Sequence, residues 1–175
     1  MTAELIARAR AIRLLVLDVD GVLTDGRLYY ADDGVELKAF NIQDGLGLRM
    51  LSASGVTIAI ISGRRSTALE RRAENLGVEH VFQGVNDKLS VFQELLTRLS
   101  LGARTAAAIG DDLPDLPVLR RCELAVSVPD APALVRDHAH YVTQRRGGHG
   151  AVRELCEMIM TAQGNLEARL QEFMK

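Results

Sequence analysis

Five short stretches of this chain, residues 14–17, 56–61, 80–82, 105–109 and 124–128, are almost wholly apolar, and each has the length of a strand rather than a helix. A strand with one face in water alternates polar and apolar residues. A strand apolar throughout is covered on both faces, as in parallel sheets flanked by helices. Segments of helical periodicity lie between and after them, at 46–54, 66–76, 88–99, 113–121 and 151–162. This alternation predicts an α/β fold with a doubly wound, Rossmann-like parallel sheet. A length of 175 residues, 47% of them hydrophobic, suits a single domain, 1–175, with its own core.

Two stretches depart from the alternation. Residues 27–31 and 35–40 are β-prone and flank Asp32-Asp33-Gly34, so 27–40 is expected to project from the sheet as a hairpin. Its Leu28, Tyr29, Tyr30, Val35 and Leu37 are apolar with no sheet of their own to cover them, which predicts an oligomer interface. Arg145-Arg146-Gly147-Gly148-His149-Gly150 is expected to be a flexible basic segment opening a C-terminal tail, 145–175.

The formal net charge of −2, the absence of a long basic run and an aromatic content of 4% leave no footprint for nucleic acid or a membrane surface. The N-terminal segment carries Arg8, Arg10 and Arg13 among alanines and lacks the apolar core of a signal peptide. No apolar run is long enough to span a bilayer. Cys122 and Cys156 form no CxxC pair, which argues against a disulfide framework or a zinc site and fits a reducing cytoplasm.

Polar residues with chemical potential sit where these strands end. Asp18-Val19-Asp20-Gly21 follows the first strand, at the edge where open α/β sheets bind ligands. Two acids so close repel unless a cation such as Mg2+ joins them, although an isolated pair of this kind more often caps a helix or faces water. Ser62, after the second strand, is placed to cradle a phosphate or merely to cap a helix. Lys88 opens a helix where its ammonium can bridge a phosphoryl group and a carboxylate; taken alone it reads as a surface lysine. Gly110-Asp111-Asp112-Leu113-Pro114-Asp115 brings further acids to a strand end, or simply complements a helix dipole. The ordered set of acid pair, hydroxyl, lysine and acid pair outweighs these separate bland readings.

That set resembles the haloacid dehalogenase-like phosphatases, whose four motifs match Asp18-Val19-Asp20-Gly21-Val22-Leu23-Thr24, Ser62, Lys88 and Gly110-Asp111-Asp112. The resemblance implies that Asp18 is a nucleophile forming an aspartyl phosphate, and that Asp20 is the general acid and then the base. It implies Mg2+ held by Asp18, the backbone carbonyl of Asp20 and Asp111. Asp112 would orient a water on the metal, and Asp115 would support the loop. The chemistry agrees, because phosphoryl transfer needs mainly positioning and charge neutralisation, here from Mg2+, Lys88 and Ser62.

Many members carry an inserted cap domain, but this sequence has room only for the hairpin, so selection of the substrate falls to the hairpin, to Phe40-Asn41-Ile42-Gln43-Asp44-Gly45 or to a neighbouring subunit. The size, the hairpin, the Asn41-to-Gly45 run, Ile61-Ser62-Gly63-Arg64 and the 147–154 segment are similar to members that dephosphorylate a keto-deoxy sugar-acid phosphate in lipopolysaccharide biosynthesis. That similarity implies a cytoplasmic homotetramer with central hairpins and a tail reaching a neighbour's site. A substrate with phosphate and carboxylate needs cations at both ends: Arg64 with Arg72, or Arg145 and Arg146, are candidates, with Asn41 and Asp44 as further contacts. The rivals are a phosphatase for a nine-carbon relative of that substrate, a phospho-receiver module, and a non-catalytic assembly partner. A receiver would place an aspartate where Ser62 stands, and a non-catalytic relative would lack Asp20.

Overall fold

The computed structural model describes Met1–Lys175. In chain order its elements are α1 (Ala3–Arg10), β1 (Leu14–Leu17), β2 (Tyr29–Tyr30), β3 (Glu36–Leu37), α2 (Ile42–Ala53), β4 (Thr57–Ser62), α3 (Thr67–Leu76), β5 (His80–Gln83), α4 (Lys88–Arg98), β6 (Ala106–Gly110), α5 (Leu116–Leu119), β7 (Leu124–Ser127), α6 (Ala133–Asp137), β8 (Tyr141–Val142), α7 (Ala151–Gln163) and α8 (Leu166–Gln171). The five apolar runs are β1, β4, β5, β6 and β7. All four residues of β1 and of β7, and all five of β6, are buried, as strands covered on both faces must be.

The main sheet is parallel throughout, in the order β5-β4-β1-β6-β7-β8, the doubly wound α/β arrangement. Leu14 lies opposite Thr57 and Ala106, and Leu17 opposite Ile60 and Ile109. Strands β4, β1 and β6 therefore end level with one another. Winding reverses at β1, so a crevice opens outside the carboxyl ends of these three strands, the switch point at which such sheets bind ligands.

Local sequence accounts for where several elements differ from expectation. Helix α2 starts a turn early, at Ile42, because the Asn41 side chain accepts the backbone N–H of Gln43 and Asp44. The helix expected over 113–121 is split into a 3-10 turn, Leu113–Asp115, and α5, since Pro114 and Pro117 supply no N–H to a continuous ladder. Helix α1 buries only Leu5 and Ala9, too thin a stripe to register as a period; Thr2 caps it, and Arg8 reaches the carbonyl of Glu123 at 2.9 Å.

Strands β2 and β3 pair antiparallel, Tyr29 opposite Leu37 and Tyr30 opposite Glu36, and Gly34 turns the chain with φ +82°. The five large apolar side chains of this hairpin are more than two-fifths exposed. The 145–150 segment, expected to be flexible, is instead bonded along its length. Gly148 donates its N–H to Val22 at 2.9 Å and accepts from Asn41, while Glu154 accepts the N–H of Gln144 and Arg145. A Cβ at Gly147 would lie 1.7 Å from the carbonyl oxygen of Gly21, so only glycine can press so closely against the loop after β1. This stretch seats against the chain's own loop after β1. No helix is long and apolar enough to cross a membrane.

Candidate active site

The loop that follows β1 is held by its own backbone: Val22, Leu23 and Thr24 all direct their N–H to the carbonyl of Val19. Gly21 takes φ +88°, and a Cβ there would meet Asp111 Oδ2 at 2.0 Å. Both facts demand glycine, and they bring the loops after β1 and β6 into contact. Asp18 and Asp20 thus face Asp111 across a narrow gap.

Lys88 is the first residue of α4, whose N-terminus is capped by Asp87. It turns inward, with 8% of its surface exposed, and its Nζ donates to Asp18 Oδ1 at 2.7 Å and to Asp115 Oδ1 at 2.6 Å. Asp115 is buried; its Oδ2 accepts the backbone N–H of Asp111 and Asp112 at 3.1 and 3.2 Å. Its two oxygens are therefore occupied in orienting the lysine and the loop, a stronger tie than sequence alone suggested. Asp112 is exposed and caps the 3-10 turn. Ser62, at the end of β4, is buried, and its Oγ accepts the N–H of Arg64 at 3.2 Å.

Oxygens of Asp18, Asp111 and Asp115 lie within 4.8 Å of one another. One ammonium faces three carboxylates, and the titration behaviour reflects that imbalance. Burial, then the charge of Asp115, push Asp18 up to about 6 against the pull of Lys88. Burial and the charges of Asp18 and Asp115 push Asp111 up to about 8. For Lys88, burial alone would lower the pKa, but the two carboxylates outweigh it and raise it. The site is short of positive charge, and its open donors, on Asp18 and Asp111, are hard oxygens. These residues fit a hard divalent cation.

Asp18, Asp20, Ser62, Arg64, Lys88, Asp111 and Asp112 line one open cleft of about 440 Å3. Larger hollows exist, such as a groove of about 670 Å3 beside α3 and β5, but they lack a carboxylate cluster around a buried lysine, so chemistry rather than volume locates the site.

The hairpin supplies two residues that sequence reasoning missed. Lys38 Nζ donates to Asp20 Oδ1 and lies 3.0 Å from Glu36 Oε1. Arg64 bonds to Glu36 Oε2 and lies 3.5 Å from Asp20 Oδ2. The four charges close a ring over the rim of the cleft. Burial would raise Glu36, but Lys38 and Arg64 outweigh it and hold the carboxyl below its ordinary range. Hydrogen bonds to Tyr30 and Glu36 hold the Arg64 guanidinium above its usual value. The available signal was parity: Glu36 and Lys38 share one face of a strand while Leu37 takes the other.

Asn41, Asp44 and Arg72 do not line this cleft. Asp44, 1% exposed, accepts Gly150 N–H at 3.3 Å and Arg153 N–H at 2.7 Å, capping α7; burial pushes it up although those donors pull it down. Arg72 donates to the Asn41 carbonyl at 3.1 Å and lies 6.0 Å from the Phe40 ring centroid. Arg64 precedes α3, so helical spacing never placed it beside Arg72. These three residues join α2, α3 and α7. Arg145 lies against Gly150, and Arg146 pairs with Asp130 at 3.4 Å.

The sequence profile of the haloacid dehalogenase-like hydrolases matches residues 81–155. The chain is 51% identical over 164 residues to the 3-deoxy-D-manno-octulosonate 8-phosphate phosphatase of Yersinia pestis, covering 94% of this chain and 88% of that protein. Its fold superimposes with a TM-score of 0.97 on a probable phosphatase of the YrbI family from Pseudomonas syringae, at 56% identity and 99% coverage of both chains. The TM-score is again 0.97, at 44% identity and 99% coverage of both chains, for the 3-deoxy-D-manno-octulosonate 8-phosphate phosphatase of Moraxella catarrhalis in complex with magnesium, phosphate and the sugar acid. With its strand-end acids, buried lysine and near full-length identity to these enzymes, the chain belongs to the haloacid dehalogenase-like hydrolases, in the family of the 3-deoxy-D-manno-octulosonate 8-phosphate phosphatases.

Proposed function

We propose that this protein is a Mg2+-dependent phosphatase that hydrolyses 3-deoxy-D-manno-octulosonate 8-phosphate to the free sugar acid and phosphate. The observation that carries the reading is Lys88, buried and bridging Asp18 and Asp115 beside Asp111. Lys88 fixes one oxygen of Asp18 and so aims the carboxylate at the mouth of the cleft. An Asp18 oxygen attacks phosphorus, the bond to the sugar oxygen breaks, and that oxygen leaves with the electron pair and takes a proton from Asp20. Asp20 then takes a proton from the water that attacks the aspartyl phosphate, which frees Asp18 and phosphate. Asp20 enters the first transfer as the carboxylic acid, becomes the carboxylate, and regains its proton in the second, while Lys38 and Arg64 keep its side chain oriented. Asp18, Asp111 and the Asp20 carbonyl would hold Mg2+, which would supply charge neutralisation for the phosphoryl group. Ser62 faces the phosphoryl group, and Arg64 meets the substrate carboxylate.

The exposed Leu28, Tyr29, Tyr30, Val35 and Leu37 support assembly through the hairpins into a homotetramer. Cys122 and Cys156, both buried and unpaired, are in keeping with a reducing cytoplasm.

Phosphate release with and without Mg2+, from wild type and Asp18→Asn, tests the reading. Mg2+-dependent release from the eight-carbon substrate, far above simple sugar phosphates and reduced at least ~10³-fold in the variant, is expected. Faster release from a nine-carbon relative reassigns the substrate, and no release from any phosphate removes the enzymatic reading.

A further inference from the structure

The ring of Asp20, Lys38, Glu36 and Arg64 is electrically closed: two carboxylates meet two cations, with no charge left for a ligand. Its members differ in how firmly they are held. Lys38 is fixed, its side chain 2% exposed; Arg64 stands at the rim, with 44% of its side chain exposed. Glu36 lies between them, 17% exposed, and touches both. Its Oε1 is buried and makes no well-directed hydrogen bond, although Lys38 Nζ is 3.0 Å away. Glu36 sits on a hairpin whose ladder has two residue pairs, and an isolated ladder of that size is marginal in water.

A guanidinium at the rim of a phosphomonoester site is a receptor for a second anionic group on the substrate. In this structure that receptor is filled from within. We propose that Glu36 is an internal stand-in for the substrate carboxylate: it occupies Arg64 at rest, and the carboxylate of the incoming sugar acid displaces it onto Lys38. The inference rests on the phosphatase reading above. After the exchange each carboxylate still has a cationic partner: Arg64 pairs with the substrate carboxylate, and Lys38 holds Asp20 and Glu36 together, so that two cations serve three carboxylates. Both states use partners already in place. Glu36 is thereby a specificity-determining residue: a ligand without a carboxylate does not replace what Arg64 gives up, so the lock discriminates against it. If the lock is closed nine-tenths of the time, it weakens apparent affinity about tenfold, within reach of one partly exposed ion pair.

The test compares competitive inhibition by two products, 3-deoxy-D-manno-octulosonate, which carries the carboxylate, and inorganic phosphate, which does not. Glu36→Gln keeps the shape and removes the charge. Its Ki for the sugar acid is expected to fall five- to tenfold, and its Ki for phosphate by less than twofold. Lys38→Met removes the second partner of Glu36, which then stays on Arg64, and its Ki for the sugar acid is expected to rise at least fivefold. Calorimetric titration of the sugar acid into each variant gives the same ranking independently of turnover. Equal changes for the two products, or no tightening in Glu36→Gln, overturn the lock. Failure of the wild-type enzyme to hydrolyse the phosphorylated sugar acid overturns the underlying reading instead, so the two failures are distinct.

Discussion

Asp44 shows how a buried acid can be structural while sitting in a segment that looks like a binding loop. Its two oxygens satisfy backbone donors at the start of α7, groups with no helical partner of their own. Asp44→Ala leaves them unsatisfied in the interior and is expected to cost about 2–3 kcal/mol, lowering the midpoint of thermal unfolding by roughly 5–10 °C, with kcat of the folded fraction within a few-fold of wild type. A calorimetric scan alongside a phosphate assay checks this; a large loss of kcat at unchanged stability would return Asp44 to the substrate. In sequence, an acid that caps a distant helix is indistinguishable from one that meets a ligand, because the capped helix lies more than a hundred residues away. The same blindness hid Lys38, whose partner Asp20 is 18 positions off and on another element. Asp18 and Asp111 were legible because each directly follows an apolar strand, and Lys88 because it opens the helix that follows one; strand ends in this fold converge.

At the scale of elements, β1, β4, β6 and β7 could be read because burial on both faces leaves a mark on nearly every residue, whereas β5, the half-buried edge strand, shows only through its short apolar Val81-Phe82 core. Helix α1, with two buried residues, and β8, with two residues in all, leave too little pattern to read. The hairpin could be read from its turn, and its apolar outer surface stays exposed in the folded chain. On the proposed assembly through the hairpins, replacing both Tyr30 and Leu37, 62% and 56% exposed, with aspartate is expected to reduce the mass in light scattering to that of a smaller species, because like charges would gather at that contact. An unchanged mass would place the subunit contact elsewhere.

For the whole molecule, the concentration of acids at one edge of the sheet couples stability to pH and to metal. Asp18 and Asp111 titrate near 6 and near 8 in the fold, against an ordinary carboxyl value of 3.8. Because these values are raised, the metal-free native state binds more protons than the unfolded chain. The contribution is fully present below about pH 4 and is lost as pH rises through about 6 to 8. In the presence of a chelator, the unfolding midpoint is expected to fall by at least ~5 °C between about pH 5 and about pH 8.5, and millimolar Mg2+ at the higher pH should restore most of it. A midpoint that climbs with pH under chelation would contradict the charge imbalance described for the site. The diglycine strap adds a matter of timing. Gly147 and Gly148 rest on Gly21 and Thr24, and β1 needs β6 as its second neighbour, so the earliest part of the site to leave the ribosome is shaped by some of the latest. A nascent chain carries Asp18 and Asp20 long before it holds the two glycines that press on the loop beside them, so that loop takes its final shape only after more than a hundred further residues have been added.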